Sequence, residues 1–197
     1  MKMWGKPVVE RIENLAKSSH CMDKSRIAFA VFLLMGVSLS GCLGEEEAET
    51  QMFPAFSAVA DDTTQYDNAR MSGSPYIVLF SAEWCNNPCY TTMHTIWEAV
   101  PELPVLVMST DPVENISGVT LSDWHDSADA HDDEDDDTGV SLTTYAFMKG
   151  SEPAAELGID TPGSVVFVNA QGEVTEIHEG RLDSVEDVLA KWNVANA

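Results

Sequence analysis

Two continuous apolar runs, separated by a helical pattern, organise the first half of the chain's ordered region. Pro75–Ser81 and Leu103–Ser109 show no polar alternation, which is typical of strands buried on both faces. Between them, Asn86 to about Val100 carries apolar residues at helical spacing, and Pro101 ends the segment. The order strand, helix, strand predicts a parallel pair joined by a right-handed crossover.

The last third of the chain has a second set of predicted elements. A short helix is expected around Pro153–Leu157, and two strands, Ser164–Asn169 and Glu173–His178, flank a turn and form a hairpin. A final amphipathic helix begins after Asp183 or Ser184, either of which can cap it. Together with the first unit, this order predicts a compact α/β sandwich.

Between the two sets, from about residue 112 to 141, the pattern breaks. Asp126–Asp137 holds eight acidic residues in twelve, and such a segment is too repulsive to bury. The sequence therefore predicts an acidic loop inserted into the α/β domain, which spans residues 71–197. His125 and His131 give this loop at most a weak attraction for divalent cations.

The residue pattern of the N-terminal region predicts that the protein is exported from the cytoplasm. Lys24 and Arg26 precede an apolar run, Ile27–Leu39, which has the length of a signal-peptide core and is short for a membrane span. The run ends in Leu39-Ser40-Gly41-Cys42, which resembles the lipobox of prokaryotic lipoproteins. The resemblance implies cleavage before Cys42 and lipid attachment at that cysteine. A short, uncleaved transmembrane anchor is the alternative interpretation.

Residues 1–41 are thus interpreted as a signal peptide, and residues 42–70 as an acidic tether and linker, of which a part could instead form a strand or helix that packs on the domain. Either interpretation of the N-terminus places the domain at the cell membrane, facing outside the cytoplasm. The formal charge of −23 excludes nucleic-acid binding as a function, because phosphate contacts need clustered Lys and Arg. Cleavage would leave Lys149 and Lys191 as the only lysines and Cys85 and Cys89 as the only cysteines apart from the lipid-bearing one.

The candidate chemistry lies in Trp84-Cys85-Asn86-Asn87-Pro88-Cys89, between the first strand and its helix. A helix N-terminus favours a thiolate, which is the reactive form of cysteine. Outside the cytoplasm, two cysteines this close are expected to form a disulfide at least part of the time. A four-residue step requires a distorted first helical turn, for which Asn86-Asn87-Pro88 is suitable.

Over roughly residues 70–195 the chain resembles the thioredoxin superfamily. Ala82-Glu83-Trp84-Cys85, with Pro88 before Cys89, looks like the family's active-site strand and turn with one residue added. Thr161-Pro162 before a strand looks like the loop whose cis-proline faces the active-site sulfurs. The hairpin and last helix follow in the family's order. The resemblance implies a thioredoxin-like three-layer sandwich with a mixed central sheet and the acidic insertion.

The resemblance also implies roles for particular residues. Cys85 would be the exposed nucleophile and Cys89 the buried thiol that resolves a mixed disulfide. Trp84 would shield the site, and a cis Pro162 would keep the facing backbone open to a substrate strand. Two positions depart from the family: Leu79 stands where many thioredoxins bury a carboxylate, and Tyr90 replaces a basic residue often found after the second cysteine.

The resemblance therefore favours an extracytoplasmic thiol–disulfide oxidoreductase. Its partners would be cysteine-containing exported or membrane proteins, or a membrane redox partner. No cofactor and no metal ion are predicted. One alternative is a non-catalytic binding module in which the bond between the cysteines is a structural staple.

A second alternative is a Sco-type copper chaperone, because that family also uses Cys-x-x-x-Cys. Ser109-Thr110-Asp111-Pro112 is similar to its pattern as well. Two thiolates could bind Cu(I). The family's histidine ligand, however, lies where this chain has Thr161-Pro162. The remaining histidines are candidates for the third ligand, although a surface histidine is more often solvated: His94, His125, His131 and His178.

Overall fold

The computed structural model describes residues 50–112, 118–131 and 139–197. The expected signal peptide, the lipobox with Cys42 and the first part of the acidic tether lie outside these residues. In the part of the chain that is described, no helix is long and apolar enough to cross a membrane.

The described residues form seven strands and five helices. The strands are β1 (Ser57–Val59), β2 (Gln65–Asp67), β3 (Tyr76–Ser81), β4 (Val105–Ser109), β5 (Tyr145–Lys149), β6 (Ser164–Val168) and β7 (Val174–His178). The helices are α1 (Asn68–Met71), α2 (Asn87–Ala99), α3 (Leu121–Asp129), α4 (Ser151–Glu156) and α5 (Val185–Ala195).

Five of the strands form the central sheet, in the order β5-β4-β3-β6-β7. β3, β4 and β5 run parallel, whereas β6 is antiparallel to β3 and β7 is antiparallel to β6. The mixed sheet expected from the sequence is therefore confirmed. The parallel strands all end at the edge of the sheet where the cysteine pair begins, because β3 leads directly into that segment.

Side chains of β3 alternate between two apolar layers, which gives the molecule its sandwich form. Ile77 and Leu79 face the layer that contains α2, α3 and α5, whereas Val78 and Phe80 face the layer that contains α4 and the N-terminal segment. Both layers are closed by fully buried side chains, so β3 is enclosed on both faces, as are β4 and β6.

Part of the segment before residue 71 is folded onto the domain, which is one of the two possibilities that the sequence leaves open. Phe53 is buried and packs its ring against Tyr76 and Phe80, and β1 pairs with β2 in an antiparallel hairpin. The backbone N–H of Phe53 donates to the Gly172 carbonyl oxygen at 2.9 Å. These residues are structured because the sheet face that carries Val78 and Phe80 needs an apolar cover, which α4 alone is too short to supply.

The acidic insertion also differs from the expected loop, because its first part forms helix α3. Thr120 caps this helix by accepting from the backbone N–H of Asp123 at 3.1 Å, and Trp124 and Ala128 bury their side chains in the core. Two apolar positions four residues apart form one narrow stripe, and the surrounding acidic residues obscure it in the sequence. The most acidic part of the insertion, residues 132–138, lies outside the described residues.

Candidate active site

The two cysteines of the Cys-x-x-x-Cys segment are joined by a disulfide, with their Cα atoms 5.9 Å apart. After β3, the N–H of Cys85 donates to the Ala82 carbonyl oxygen at 2.9 Å and closes a tight turn. Helix α2 begins two residues after Cys85, with Pro88 in its first turn, where a missing N–H costs nothing. The disulfide therefore links the end of the central strand to the first turn of the helix.

The first turn of α2 is distorted, as the four-residue step requires. Asn86 has φ −84° and ψ −107°, outside the helical region. Its carbonyl oxygen accepts from the N–H groups of both Cys89, at 3.1 Å, and Tyr90, at 3.0 Å. The bond to Cys89 spans three residues rather than four, so this turn is tighter than an α-helix.

Cys85 is less exposed than its expected role as an open nucleophile suggests. Its exposed fraction is 7%, and that of Cys89 is 0%. Both side chains pack with Ala82 in a small buried cluster. Cys85 remains the more accessible of the two in the oxidised form.

The residue before Cys85 is the most exposed large side chain of the site. Trp84 is 63% exposed, and its indole Nε1–H donates to Asp111 Oδ1 at 3.2 Å. Asp111 follows β4, so the hydrogen bond joins the ends of two adjacent parallel strands. The indole of the residue next to Cys85 is thus fixed by a hydrogen bond at its N–H edge. Its role in shielding the sulfurs stays a prediction.

The loop that contains Thr161-Pro162 lies against the buried sulfur, but its proline is trans. A Cβ added to Gly163 would lie 3.7 Å from Cys89 Sγ, so the loop and the disulfide are in close contact. No cis peptide bond occurs in the described residues, and the expected cis Pro162 is therefore wrong. The glycine next to it, with φ +95°, supplies the bend, and the trans form is the intrinsic preference of such bonds.

Three hydrogen bonds hold this loop in place. The N–H of Gly163 donates to the Phe80 carbonyl oxygen at 2.7 Å, which ties the loop to β3. The hydroxyl of Ser164 donates to the Thr161 carbonyl oxygen at 2.7 Å and accepts from the N–H of Gly180 at 3.2 Å. The loop is thus fixed from both sides while it faces the sulfurs.

A buried ion pair lies at the same end of the sheet. Glu83, two residues before Cys85, has a side chain only 1% exposed, and its Oε1 accepts from Nζ of Lys149. Leu79, at the position where a buried carboxylate was sought in the sequence, is fully buried in the core. The site's buried carboxylate is therefore Glu83, which sequence reasoning missed as a functional candidate.

A cleft of about 440 Å³ opens beside the cysteine segment. The indole Nε1–H of Trp124 is buried and has no hydrogen-bond acceptor within the described residues. Burial raises the pKa of the Tyr90 phenol, so this side chain stays neutral near pH 7. The cleft is lined by Glu83, Asn86, Asn87, Tyr90, Val119, Trp124, Ser127 and His131.

The histidines considered as copper ligands make contacts with other groups of the protein. Nε2 of His94 is 2.8 Å from the Ala128 carbonyl oxygen, and Nδ1 of His125 is 2.6 Å from Asp61 Oδ2. Nε2 of His178 is 3.1 Å from the Arg181 carbonyl oxygen, and the ring of His131 packs against that of His94. Within the described ranges, no three His, Cys, Asp or Glu residues are arranged to hold a metal ion.

Comparison with known proteins gives matches to solved structures. No protein-family model and no curated protein matches the chain. A thio-disulfide isomerase from Thermus thermophilus matches with a TM-score of 0.55 and 18% identity, over 75% of this chain and 96% of that one. The pneumococcal exposed lipoprotein thioredoxin from Streptococcus pneumoniae matches with a TM-score of 0.53 and 16% identity, over 71% of this chain and 98% of that one.

A third match has a different described role. BsSco, a member of the Sco family of cytochrome c oxidase assembly proteins in which a disulfide switch was identified, matches with a TM-score of 0.55 and 14% identity. The match covers 76% of this chain and 96% of BsSco. The protein therefore has the thioredoxin-like α/β fold, and its structural neighbours are thioredoxin-fold thiol–disulfide oxidoreductases and a Sco protein. It carries a disulfide at the start of α2.

Proposed function

We propose that the protein is a thiol–disulfide oxidoreductase that acts outside the cytoplasm on cysteines of exported or membrane proteins. The observation that carries the proposal is the disulfide between Cys85 and Cys89 at the junction of the central strand and its helix, with the Gly163 loop against it. A disulfide in this place combines a reactive bond, a helix N-terminus that favours the thiolate, and a facing backbone segment.

In the reducing direction, Cys85 reacts first because its sulfur is the more accessible. The Cys85 thiolate attacks one sulfur of a substrate disulfide, forms a mixed disulfide and releases the other substrate sulfur as a thiolate. The Cys89 thiolate then attacks Cys85 Sγ, which closes the disulfide and releases the second substrate thiolate. The protein's dithiol loses two electrons and the substrate disulfide gains them, while the protons of the two thiols end on the substrate thiols.

Substitution of each cysteine tests this order. Cys89→Ser should accumulate mixed disulfides with substrate proteins, because the resolving thiol is missing. Cys85→Ser is the matched control and should trap none. The measurement is non-reducing electrophoresis of native membranes followed by mass spectrometry. Absence of adducts with Cys89→Ser, in membranes where the protein is folded and abundant, would contradict the proposal.

The proposal includes a lipid anchor on Cys42. The lipobox-like Leu39-Ser40-Gly41-Cys42 and the preceding apolar run support it. Cys42→Ala should move the protein from the membrane fraction to the soluble extracytoplasmic fraction, or leave an uncleaved precursor. Mass spectrometry of the mature N-terminus distinguishes a lipid-modified cysteine from an intact anchor.

A structural disulfide is a second candidate function, favoured by the burial of Cys85, only 7% exposed. A staple resists reduction, whereas a catalytic disulfide exchanges with the redox partners of its compartment. Equilibration of the protein with dithiothreitol or glutathione buffers measures the reduction potential. A value below the range of thioredoxin, together with no trapped adducts, would favour the staple.

A Sco-type role in copper handling is a third candidate, favoured by the Cys-x-x-x-Cys step and by the structural likeness to BsSco. The two thiolates of the reduced protein are soft ligands suited to Cu(I). Anaerobic titration of the reduced protein with Cu(I) tests this role. A stoichiometric tight site that is lost in both Cys85→Ser and Cys89→Ser would favour copper binding over thiol exchange.

A further inference from the structure

We propose that the cleft between α2 and α3 is a substrate subsite, which binds a neutral peptide segment next to the substrate cysteine. A carbonyl oxygen of that segment accepts a hydrogen bond from the Trp124 indole. The inference rests on the proposed function and deepens it, because it names the class of substrate. The preferred substrate is a polypeptide with uncharged residues beside its cysteine, rather than a small disulfide compound.

Facing surfaces of the two helices form the walls of the cleft, which has a volume of about 440 Å³. Asn87 and Tyr90 lie three residues apart on one face of α2. Trp124 and Ser127 have the same spacing on α3, and His131 follows just after that helix ends. The ring centroids of Tyr90 and His131 are 5.5 Å apart, so these two side chains join the walls.

The cleft adjoins the proposed attacking residue. Asn86, which directly follows Cys85, is exposed and lines the cleft. A substrate joined to Cys85 by a mixed disulfide therefore has its neighbouring residues within reach of the cleft. The Gly163 loop, which lies against Cys89, contributes no lining residue. The cleft is thus a second contact surface, separate from that loop.

One wall of the cleft carries a buried donor that lacks an acceptor. Trp124 is fully buried, and its Nε1–H has no hydrogen-bond partner within the described residues. The indole packs edge-on against Phe147, with the ring centroids 4.9 Å apart, and this contact holds its orientation. Buried donors are normally paired with protein or with an ordered molecule. Because Trp124 lines the cleft, an acceptor on an occupant is the partner that its N–H can gain.

Other lining groups match the two halves of a peptide group. Asn87 Oδ1 accepts from the Thr91 hydroxyl at 3.2 Å, so the amide nitrogen of Asn87 is the group that can donate to an occupant. The Ser127 hydroxyl donates to the Asp123 carbonyl oxygen at 2.7 Å, so its own oxygen can accept. A peptide group offers one carbonyl acceptor and one N–H donor, which suits this combination.

Charge disfavours the other classes of occupant. Among the described lining residues the only carboxylate is that of Glu83, and it is already paired with Lys149. An anion would gain only neutral donors and would oppose the field of a chain with a net charge of −23. An ammonium or guanidinium group carries no acceptor and would leave the indole N–H unpaired. A neutral carbonyl group is therefore the acceptor that fits.

The rates of two disulfide compounds test the subsite. In the full-length protein with Cys89→Ser, the Cys85 thiolate attacks one sulfur of a symmetric disulfide, forms a mixed disulfide and releases the other half as a thiolate. One compound is the disulfide-linked dimer of the neutral peptide acetyl-alanyl-cysteinyl-alanine amide. The other is bis(2-hydroxyethyl) disulfide, which has the same reacting bond and no peptide carbonyl. The measured quantity is the ratio of the peptide rate constant to the hydroxyethyl rate constant.

Trp124→Phe should lower this ratio about fivefold, because it removes the N–H and keeps a ring against Phe147. Trp192→Phe, in α5 and outside the lining, is the matched control and should leave the ratio in place. Ser127→Leu fills the cleft from an exposed position and should also lower the ratio. It serves as the test if Trp124→Phe does not fold. An unchanged ratio in the folded variant would overturn the inference.

Binding without thiol exchange separates the subsite from the proposed function. The oxidised full-length protein is titrated with acetyl-alanyl-seryl-alanine amide, which has a hydroxyl in place of the thiol, and the indole signals are followed in nitrogen–proton spectra. The signal that is absent in Trp124→Phe should move downfield as its N–H gains an acceptor, and that of Trp192 should not move. Movement and a lowered ratio without trapped adducts would contradict only the proposed function. Trapped adducts with neither change would contradict only the subsite.

Discussion

The described part of the chain contains two lysine–glutamate pairs whose carboxylates differ in exposure. Lys149 reaches Glu83 at the end of the sheet where the disulfide lies, and the glutamate side chain there is 1% exposed. Lys191 of α5 reaches Glu176 of β7 at 2.7 Å, where the glutamate side chain is 43% exposed. These are the only lysines outside the expected signal peptide, so the chain places half of them in a buried pair beside its disulfide.

The contrast shows what burial does to an ion pair. At the surface, water already solvates both charges, and the pair contributes little to the free energy of unfolding. In the interior pair, the Glu83 carboxylate has lost its water and depends on the ammonium group, so removal of the lysine leaves a buried charge that nothing compensates. The buried pair is therefore sensitive to substitution without being an efficient source of stability.

The largest expected effect comes from removal of one lysine at a time. Lys149→Met should lower the free energy of unfolding by about 3–5 kcal/mol, because it leaves the Glu83 carboxylate buried and unpaired. Lys191→Met is the matched control and should lower it by less than about 1 kcal/mol. Urea denaturation of the oxidised proteins measures both values.

A double variant sharpens the same comparison. Glu83→Met combined with Lys149→Met removes both charges and should recover most of the stability lost by Lys149→Met alone. Equal losses for Lys149→Met and Lys191→Met would show that the interior pair is as well solvated as the surface pair. That result would break the comparison.

The next largest expected effect is a loss of stability at high pH, where buried tyrosine side chains ionise. Burial raises the pKa of the Tyr76 phenol to about 12 and raises that of Tyr145 as well. A raised pKa in the folded protein gives stability that is complete below about pH 10 and is lost as the pH rises towards 12. The wild type should therefore lose on the order of 1–2 kcal/mol more than Tyr76→Phe over this interval.

Denaturation at fixed pH values between 9 and 12 tests the alkaline effect. Tyr76→Phe keeps the ring that packs against Phe53 and removes only the ionisable hydroxyl. Parallel loss of stability in the wild type and this variant would mean that other groups cause the alkaline decline.

The smallest expected effect is the response to salt. Since the screening length falls to about 3 Å in about 1 M salt, the coupling between Lys191 and Glu176 should fall towards zero. The coupling between Lys149 and Glu83 should change by less than half, because solvent ions do not reach the buried carboxylate. Double-mutant cycles at low and high salt measure both couplings, and equal salt responses would contradict the difference in burial.

Prediction from sequence succeeded where neighbouring residues alone determine the structure. The continuous apolar runs gave β3, β4 and β6 within about two residues, since a strand buried on both faces needs no polar alternation. The helical spacing and Pro101 likewise gave α2. The cysteine pair and its disulfide were also found, because a four-residue separation is visible in the chain itself.

The features that were missed depend on contacts between distant residues. The strand β5 was not predicted. Its short apolar run after the acidic segment forms a strand because it pairs with β4, and that pairing is not visible in the local sequence. Glu83 was missed because its partner Lys149 lies 66 residues further along the chain. The trans form of Pro162 was missed because the bend is made by the following glycine, which ties the loop to Phe80.

The closeness of Gly163 to the disulfide also has a spectroscopic consequence. Its amide donates a 2.7 Å hydrogen bond to the central strand, and the position of its missing Cβ is 3.7 Å from Cys89 Sγ. When the sulfurs separate on reduction, the magnetic environment of this amide changes although its own chain does not react. Glycine amides are readily identified in nitrogen–proton spectra. The chemical shift of the Gly163 amide should therefore report whether Cys85 and Cys89 are oxidised or reduced.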